Sequence, residues 1–323
     1  MLLRDALAYA NTELDKFPYK QLEARILLAN ILNLSQELLL IRYNQEISED
    51  ERLRFVGYIQ RRKSFEPIAY ITGKKEFYGL DFLVGKDVLI PRPDTETLVD
   101  EVIRVALENK LQKNCHPGPQ DQGSITSPKT GSRIEDSQVS ASDSCSSTSM
   151  MTNRIKILDL GTGSGAIAVS LAVNIADAFI VATDISPQGL KIAKQNAQLN
   201  DVADKIKFIE SDWYSNITSE KFDFIISNPP YISADEKIYM AEETLQYEPS
   251  SALFASNKGL ENYDKIIKGA GEFLKNEGKV FLEIGFNQAD SVNSILEKYK
   301  FTEIKVLKDL AGQTRVITAK YLC

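Results

Sequence analysis

From Ile155 onward the chain alternates short apolar strands with amphipathic helices, and this alternation restricts the fold more than any other feature. The pattern predicts strands near 155–160, 179–183, 206–210, 222–227 and 278–284, with helices near 164–174, 187–199, 260–274 and 288–298. Strands separated by helices form a parallel α/β sheet. The segments 303–307 and 315–320 have only the turn region 308–312 between them, which predicts an antiparallel hairpin closing the sheet. Dinucleotide-binding domains generally lack that ending.

The first of these strands runs straight into Gly161-Thr162-Gly163-Ser164-Gly165. Glycines there let the backbone turn sharply and lie against a ligand with no Cβ in the way. Nucleotide and dinucleotide binders share such a turn, but the spacing here is G-x-G-x-G rather than G-x-G-x-x-G. Asp184 follows 23 residues after Gly161, about where a βαβ unit sets an acid on ribose hydroxyls; a solvent-facing strand-end Asp is the plainer reading. Asp212-Trp213 ends the third strand, where a carboxylate can accept from an adenine amine beside an apolar ring. Trp213 is the only tryptophan, and a core position would explain it equally well.

Ser227-Asn228-Pro229-Pro230-Tyr231 ends the fourth strand. The two prolines remove backbone N–H groups and fix direction, which presets the Asn228 side-chain oxygen and the Pro229 carbonyl as acceptors. An NH2 group fits such acceptors. Donating to both, its nitrogen can turn a lone pair toward a methyl sulfonium for in-line displacement, with Tyr231 packed on its planar group. All four motifs fall at the carboxyl ends of successive strands, where open α/β sheets bind ligands.

The N-terminal third reads differently. Residues 3–15, 20–33 and 48–63 carry apolar positions at helical spacing, and Ser48 with Glu51 forms a capping-box signal, so a small helical bundle is expected. Glu76-Phe77-Tyr78 and Asp81-Phe82-Leu83-Val84, split by Gly79, predict a β-hairpin; Asp94 then opens a helix to about Lys110. This divides the chain into a helical domain, 1–73, a hairpin linker, 74–90, and an α/β domain, 91–323. Residues 112–153 contain no Phe, Trp or Tyr and are crowded with Ser, Gly, Pro and Asp, the composition of a disordered insertion without catalytic role.

Composition narrows the chemistry. The only histidine, His116, and two of three cysteines, Cys115 and Cys145, lie in that insertion, with Cys323 at the end. No disulfide framework or metal spacing results, and no histidine base serves the α/β core. A net charge of −7 disfavours phosphate-driven binding of nucleic acid. Residues 1–90 hold 13 basic and 13 acidic side chains, and their cluster Arg61-Arg62-Lys63 reads as a solvated helix end. The first fifteen residues carry Arg4, Asp5, Glu13 and Asp15, unlike a signal peptide, and no apolar run reaches membrane-spanning length; a cytoplasmic protein is expected.

The chain resembles the HemK/PrmC family of protein-(glutamine-N5) methyltransferases over nearly its whole length outside 112–153. The residues that carry the resemblance are Pro67 to Gly73, Glu76-Phe77-Tyr78-Gly79, Leu89 to Glu96, Asp159 to Gly165, Asn228 to Tyr231 and Glu283-Ile284-Gly285. Tyr78-Gly79 followed by Ile90-Pro91-Arg92-Pro93 is more specific than Asn-Pro-Pro-Tyr alone. The resemblance implies an S-adenosylmethionine-dependent methyltransferase (Rossmann-like) fold, a seven-stranded α/β sheet with a small N-terminal helical domain and a β-hairpin linker. It implies S-adenosyl-L-methionine as cofactor and class I peptide chain release factors as protein substrate, methylated on the glutamine of a Gly-Gly-Gln loop, with the helical domain holding the release factor. By the same likeness Gly161, Thr162, Gly163, Ser164 and Gly165 wrap the methionine part, Asp184 holds ribose, Trp213 lies at the adenine and Asn228 also borders the cofactor. Asn228, Pro229, Pro230 and Tyr231 bind the substrate amide, with Asn228, Pro229 and Tyr231 catalytic; Phe77 and Arg92 to Thr95 line the pocket.

Three other readings stay open at this point. Asn-Pro-Pro-Tyr suits any planar NH2 group, so a nucleic-acid amino methyltransferase is the nearest rival, opposed by the acidic balance. A non-catalytic protein on the cofactor fold is opposed by the intact motif, and an NAD-dependent oxidoreductase by the glycine spacing.

Overall fold

The computed structural model describes residues 1–114 and 154–322; the proposed insertion therefore falls outside the described residues, apart from 112–114. In chain order the elements begin with α1 (Leu3–Glu13), α2 (Lys20–Leu32), α3 (Gln36–Ile41), α4 (Glu49–Lys63) and α5 (Ile68–Thr72). The hairpin β1 (Lys74–Phe77) and β2 (Leu80–Leu83) and the long α6 (Glu96–Asn114) follow. Then come β3 (Ile155–Leu160), α7 (Ala166–Asn174), β4 (Ala178–Asp184), α8 (Pro187–Leu199), β5 (Ile206–Glu210) and β6 (Phe222–Ser227). The chain closes with α9 (Glu242–Tyr247), α10 (Ser250–Leu253), α11 (Glu261–Phe273), β7 (Leu274–Glu283), α12 (Ala289–Lys298), β8 (Phe301–Lys308) and β9 (Thr314–Tyr321).

Seven strands form one sheet in the order β5-β4-β3-β6-β7-β9-β8. β3 to β7 pair in parallel, while β9 runs antiparallel to both β7 and β8, so the hairpin ending is present. Side chains alternate across the sheet as the two-residue period of a strand requires. Ile157, Ile180, Phe224, Ile226 and Phe281 face a core with Leu98, Val102 and Val105 of α6 and with α7. Leu158, Val181, Ile225, Val280 and Leu282 face the opposite core, under Tyr263 and Ile266 of α11 and Val292 of α12.

α1 to α5 pack around their own core, which includes Leu3, Leu27, Phe55 and Ile59. The Ser48–Glu51 capping box forms as expected, with Ser48 Oγ accepting from Glu51 N at 3.2 Å and Glu51 Oε2 accepting from Ser48 N at 2.7 Å. α3, α5, α9 and α10 leave no periodic signature in the sequence, because four to six residues complete too few turns for apolar periodicity to register. The solvated end expected for Arg61-Arg62-Lys63 is incorrect for Arg62, which is buried. Its guanidinium meets Glu23 at 2.8 Å and Glu243 at 2.6 Å and lies over the Phe17 ring at 4.1 Å, so it ties α4 to both α2 and α9. Among the described residues no helix is long and apolar enough to cross a membrane.

The hairpin turns on Tyr78 and Gly79, both at positive φ (53° and 72°), the pair of left-handed positions a two-residue turn needs. A tyrosine there is strained, and α6 holds it: Tyr78 N donates to Glu96 Oε1 at 2.9 Å and its hydroxyl to Asp100 Oδ1 at 2.6 Å. Asn196 of α8 joins β2 to the glycine turn. Its Oδ1 accepts from Leu83 N at 2.7 Å, and its Nδ2 donates to Leu83 O at 3.0 Å and Ser164 O at 2.8 Å. Asn196→Ala strands these buried partners, and we expect it to lower the unfolding free energy by about 2–4 kcal/mol in urea titrations. A loss below about 0.5 kcal/mol would show that the clamp is dispensable.

Candidate active site

One row of residues runs across the sheet: Thr183 pairs with Leu160, Leu160 with Ser227, and Ser227 with Leu282. Ser227 Oγ donates to Leu160 O at 2.7 Å and fixes β6 against β3. The next residue along each of these strands lies at the same end of the sheet, which sets Asp184, Gly161, Asn228 and Glu283 in one row.

The glycine turn is held by the end of β4. Gly161 N and Thr162 N both donate to Thr183 O, at 2.9 and 2.8 Å, and Gly163 N donates to Asp184 Oδ2 at 2.8 Å. Gly161, Gly163 and Gly165 all have positive φ. A Cβ on Gly165 would come within 3.0 Å of Ala193 Cβ, so this glycine lets α7 start against α8. A Cβ on Gly163 would meet nothing within 4 Å, which leaves the turn's outer surface open. The Trp213 ring lies 3.6 Å from the corresponding point on Gly161, and Trp213 itself is held at φ 48°.

Below the turn, Asp159 is fully buried; its Oδ2 accepts from Thr162 Oγ1 at 2.6 Å and its Oδ1 has no hydrogen-bond partner among the described residues. Burial pushes its carboxyl up to about 7, against the pull of Thr162 and with a further rise from Asp184. Burial also raises Asp184, opposed by the backbone N–H groups of Ser186 and Gly163. Each Asp184 oxygen receives one of these N–H groups, and a carboxylate has about four acceptor positions, so capacity for hydroxyl donors remains. An orphaned acid, an acceptor at the strand end, a bare glycine surface and an aromatic edge together fit a ligand with cationic, hydroxyl and planar parts.

Asn228, Pro229 and Tyr231 line an adjoining cleft of about 220 Å³, shared with Leu89, Arg92, Ile232 and Met240. Four scaffold contacts hold the motif. Asn228 Nδ2 donates to Thr95 Oγ1 at 3.3 Å, Asn262 Nδ2 to Pro230 O at 2.8 Å, Gln288 Nε2 to Tyr231 O at 3.0 Å, and Tyr231 Oη to Glu283 Oε1 at 3.3 Å. The chain following Asn228-Pro229-Pro230-Tyr231 passes so close to Gly259 that a Cβ there would stand 2.0 Å from Tyr231 O. Pro230 O and Tyr231 O are occupied by the scaffold, whereas Asn228 Oδ1 and Pro229 O have no hydrogen-bond partner among the described residues. Arg92, which also lines the cleft, pairs with the buried Glu248, whose other oxygen accepts from Ile90 N at 3.2 Å.

Gly161 to Gly165, Asp184, Trp213 and Asn228 to Tyr231 are thus gathered at one sheet edge. Phe77 is not: the inward face of β1 buries it in the α6 side of the core, edge-on to Phe82 with ring centroids 6.0 Å apart, and it does not line the cleft. Glu248, Asn262, Glu283, Gln288 and the short segment around Met240 and Thr244 escaped sequence reasoning as site residues. Of these only Glu283 sat in a motif worth noticing, Glu283-Ile284-Gly285.

Two family models match the chain, the PrmC N-terminal domain over residues 5–73 and the methyltransferase small domain over residues 145–256. The release factor glutamine methyltransferase of Francisella tularensis is 36% identical over 299 residues, covering 92% of this chain and 89% of that protein. The enzyme of the same name from Agrobacterium fabrum is 34% identical, with the same two coverages. The chain belongs to the release factor glutamine methyltransferase family. A bifunctional methyltransferase of Rickettsia prowazekii is 44% identical over 317 residues, covering 98% of this family member. The chain spans only 56% of that longer relative. Among solved structures, the hMettl16 catalytic domain in complex with the MAT2A 3'UTR hairpin 6 superposes with a TM-score of 0.50 at 15% identity. That match covers 85% of this chain and 82% of the other and bears on the fold alone.

Because Asp159 carries a raised pKa when folded, its contribution to stability is fully present below the ordinary carboxylate range and is lost as the pH climbs through about 7. Unfolding midpoints in urea should therefore fall between pH 5 and pH 8, and Asp159→Asn should flatten the fall by an amount on the order of 3 kcal/mol at most. Identical slopes in the two proteins would contradict the assignment.

Proposed function

We propose that the protein transfers a methyl group from S-adenosyl-L-methionine to the side-chain amide nitrogen of the glutamine in the Gly-Gly-Gln loop of class I peptide chain release factors. The observation that carries this reading is the pair of unspent acceptors, Asn228 Oδ1 and Pro229 O, on a motif whose next two carbonyls, Pro230 O and Tyr231 O, are taken by the scaffold. Family membership supports the choice of substrate: relatives named release factor glutamine methyltransferase align over most of the chain. The likeness of residues 5–73 to the PrmC N-terminal domain supports the helical region, 1–73, as the part that holds the release factor, ahead of a linker at 74–90 and a catalytic region from 91. On this reading the reaction belongs to the cytoplasm, where release factors work.

The cofactor supplies an electrophilic methyl group on a sulfonium. Gly161 to Gly165 would hold its methionine part over Asp159, Asp184 its ribose hydroxyls and Trp213 its adenine. Thr95 accepts from Asn228 Nδ2 and so turns Oδ1 outward as the acceptor. A substrate NH2 that donates to Asn228 Oδ1 and Pro229 O would have both N–H bonds fixed in the amide plane, so that its lone pair stands perpendicular to that plane with the face opposite Tyr231 free to take the methyl group. The N–H proton lost on methylation would leave along one of these hydrogen bonds to solvent. Pro229 and Pro230 keep competing donors out. Tyr231, fixed at both its hydroxyl and its carbonyl, offers a flat face to the amide plane. Binding of the two N–H groups directs the nitrogen without a histidine.

Incubation with labelled S-adenosylmethionine and, separately, release factor, its Gln-substituted variant, tRNA, rRNA and DNA is expected to label release factor alone. Label on nucleic acid but not on release factor would overturn the reading in favour of a nucleobase amine. Asn228→Ala should lower turnover by at least about a hundredfold while cofactor affinity, read from Trp213 emission, changes by less than roughly threefold. Full turnover in that variant would refute the role given to Asn228.

A further inference from the structure

Glu283 belongs to the resemblance only as part of a motif, yet it stands next to Asn228. Ser227 and Leu282 are register partners on parallel strands, so Asn228 and Glu283 are the first residues beyond that pair. Glu283 is buried, lines the cleft with Asn228, Pro229 and Tyr231, and has one oxygen, Oε2, without a hydrogen-bond partner among the described residues. Its Oε1 accepts from the Tyr231 hydroxyl at 3.3 Å. The Thr95 hydroxyl, which accepts from Asn228, also faces Glu283 and favours its charged form.

Taking the proposed amide-nitrogen transfer as its basis, we propose that Glu283 is a positioning residue: its carboxylate orients the hydroxyls of Thr95 and Tyr231, and through Thr95 it keeps the Asn228 amide turned with Oδ1 to the cleft. A hydroxyl has one proton. While the Thr95 proton is drawn toward a carboxylate, its oxygen lone pairs are left for Asn228 Nδ2, and Asn228 cannot profitably flip. A neutral acid or an amide at 283 can itself donate to Thr95, which frees the Thr95 proton to point at Asn228 and favours the flipped amide.

Every element packed around Glu283 adds to its balance. Burial pushes the carboxyl up to about 7; Thr95 opposes the rise, as do Arg315 from β9 and Tyr231, while Asp94 from the turn before α6 adds to it. Arg315 is itself engaged by Asp94 at 2.9 Å and Asp309 at 3.3 Å, and Tyr263 of α11 donates to the Glu283 carbonyl at 2.9 Å. The carboxylate therefore stays charged above neutrality and the orientation of Asn228 follows pH.

The test uses the full chain with Glu283→Gln, Glu283→Asp, Thr95→Val and the double variant Glu283→Gln/Thr95→Val. The Asn228 side-chain NH2 resonance, assigned by its disappearance in Asn228→Asp, is followed by 15N–1H spectroscopy across the pH range around neutrality. We expect it to titrate in the wild type, to shift and lose its titration in Glu283→Gln, and to keep the titration in Glu283→Asp. Turnover on release factor should fall about tenfold or more in Glu283→Gln, recover in part in Glu283→Asp, and fall no further in the double variant than in the worse single one. Cofactor affinity read from Trp213 should move less than roughly twofold. An Asn228 resonance unchanged and still titrating in Glu283→Gln, or turnover losses that multiply in the double variant, would overturn the proposal. A wild type that labels no release factor would sink the functional reading alone, and the resonance would still decide the role of Glu283.

Discussion

The structure depends on one line of register across its parallel strands, Thr183–Leu160–Ser227–Leu282. Strands locked in this row end together, so residues far apart in the chain emerge on a single edge. Parallel pairing gives that edge to the carboxyl ends, and the helices on both faces leave it open. A one-residue slip of β6 would turn Phe224 and Ile226 to the opposite core and carry Asn228 away from both Gly161 and Glu283. Burial of that apolar alternation and geometry of the site are therefore enforced by the same contacts.

Charge at the edge is arranged in two compartments. Asp159 and Asp184 lie under and beside the glycine turn, and Glu283 lies under Asn228 and Tyr231 with Arg315 behind it. The first compartment suits a cationic, hydroxyl-bearing donor. The second borders the Asn228 to Tyr231 motif. Between the helical region and the cleft stands the segment with α9, gripped by Arg62 through Glu243 and by Ser64 through the Tyr247 hydroxyl, at 2.6 and 2.7 Å. The cleft wall and the helical bundle are thus mechanically joined.

Much of this was legible in the sequence because the determining signals are local. Glycine spacing, strand alternation, the two prolines after Asn228 and the Tyr78-Gly79 turn each fix backbone behaviour within a few residues. What escaped is set by contacts between distant segments. Arg62 reads as surface charge until Glu23, Glu243 and Phe17 converge on it. The resemblance places Thr95 at the pocket as part of Arg92 to Thr95, but the partner of its hydroxyl is set only when β6 brings Asn228 to it. Phe77 sits in a motif that points to the site, but strand alternation buries its ring in the core. The short helices from 242 to 253 lack the length for a periodic signature, though they wall the cleft.

The account holds that the row of strand ends brings a methyl donor and a glutamine amide together at Asn228. Tandem mass spectrometry of a release factor, before and after incubation with the protein and S-adenosylmethionine, tests this most directly. The account predicts one added methyl group, carried by fragments that contain the Gly-Gly-Gln glutamine and located on its side-chain nitrogen. A methyl group found on another residue of the release factor would contradict it.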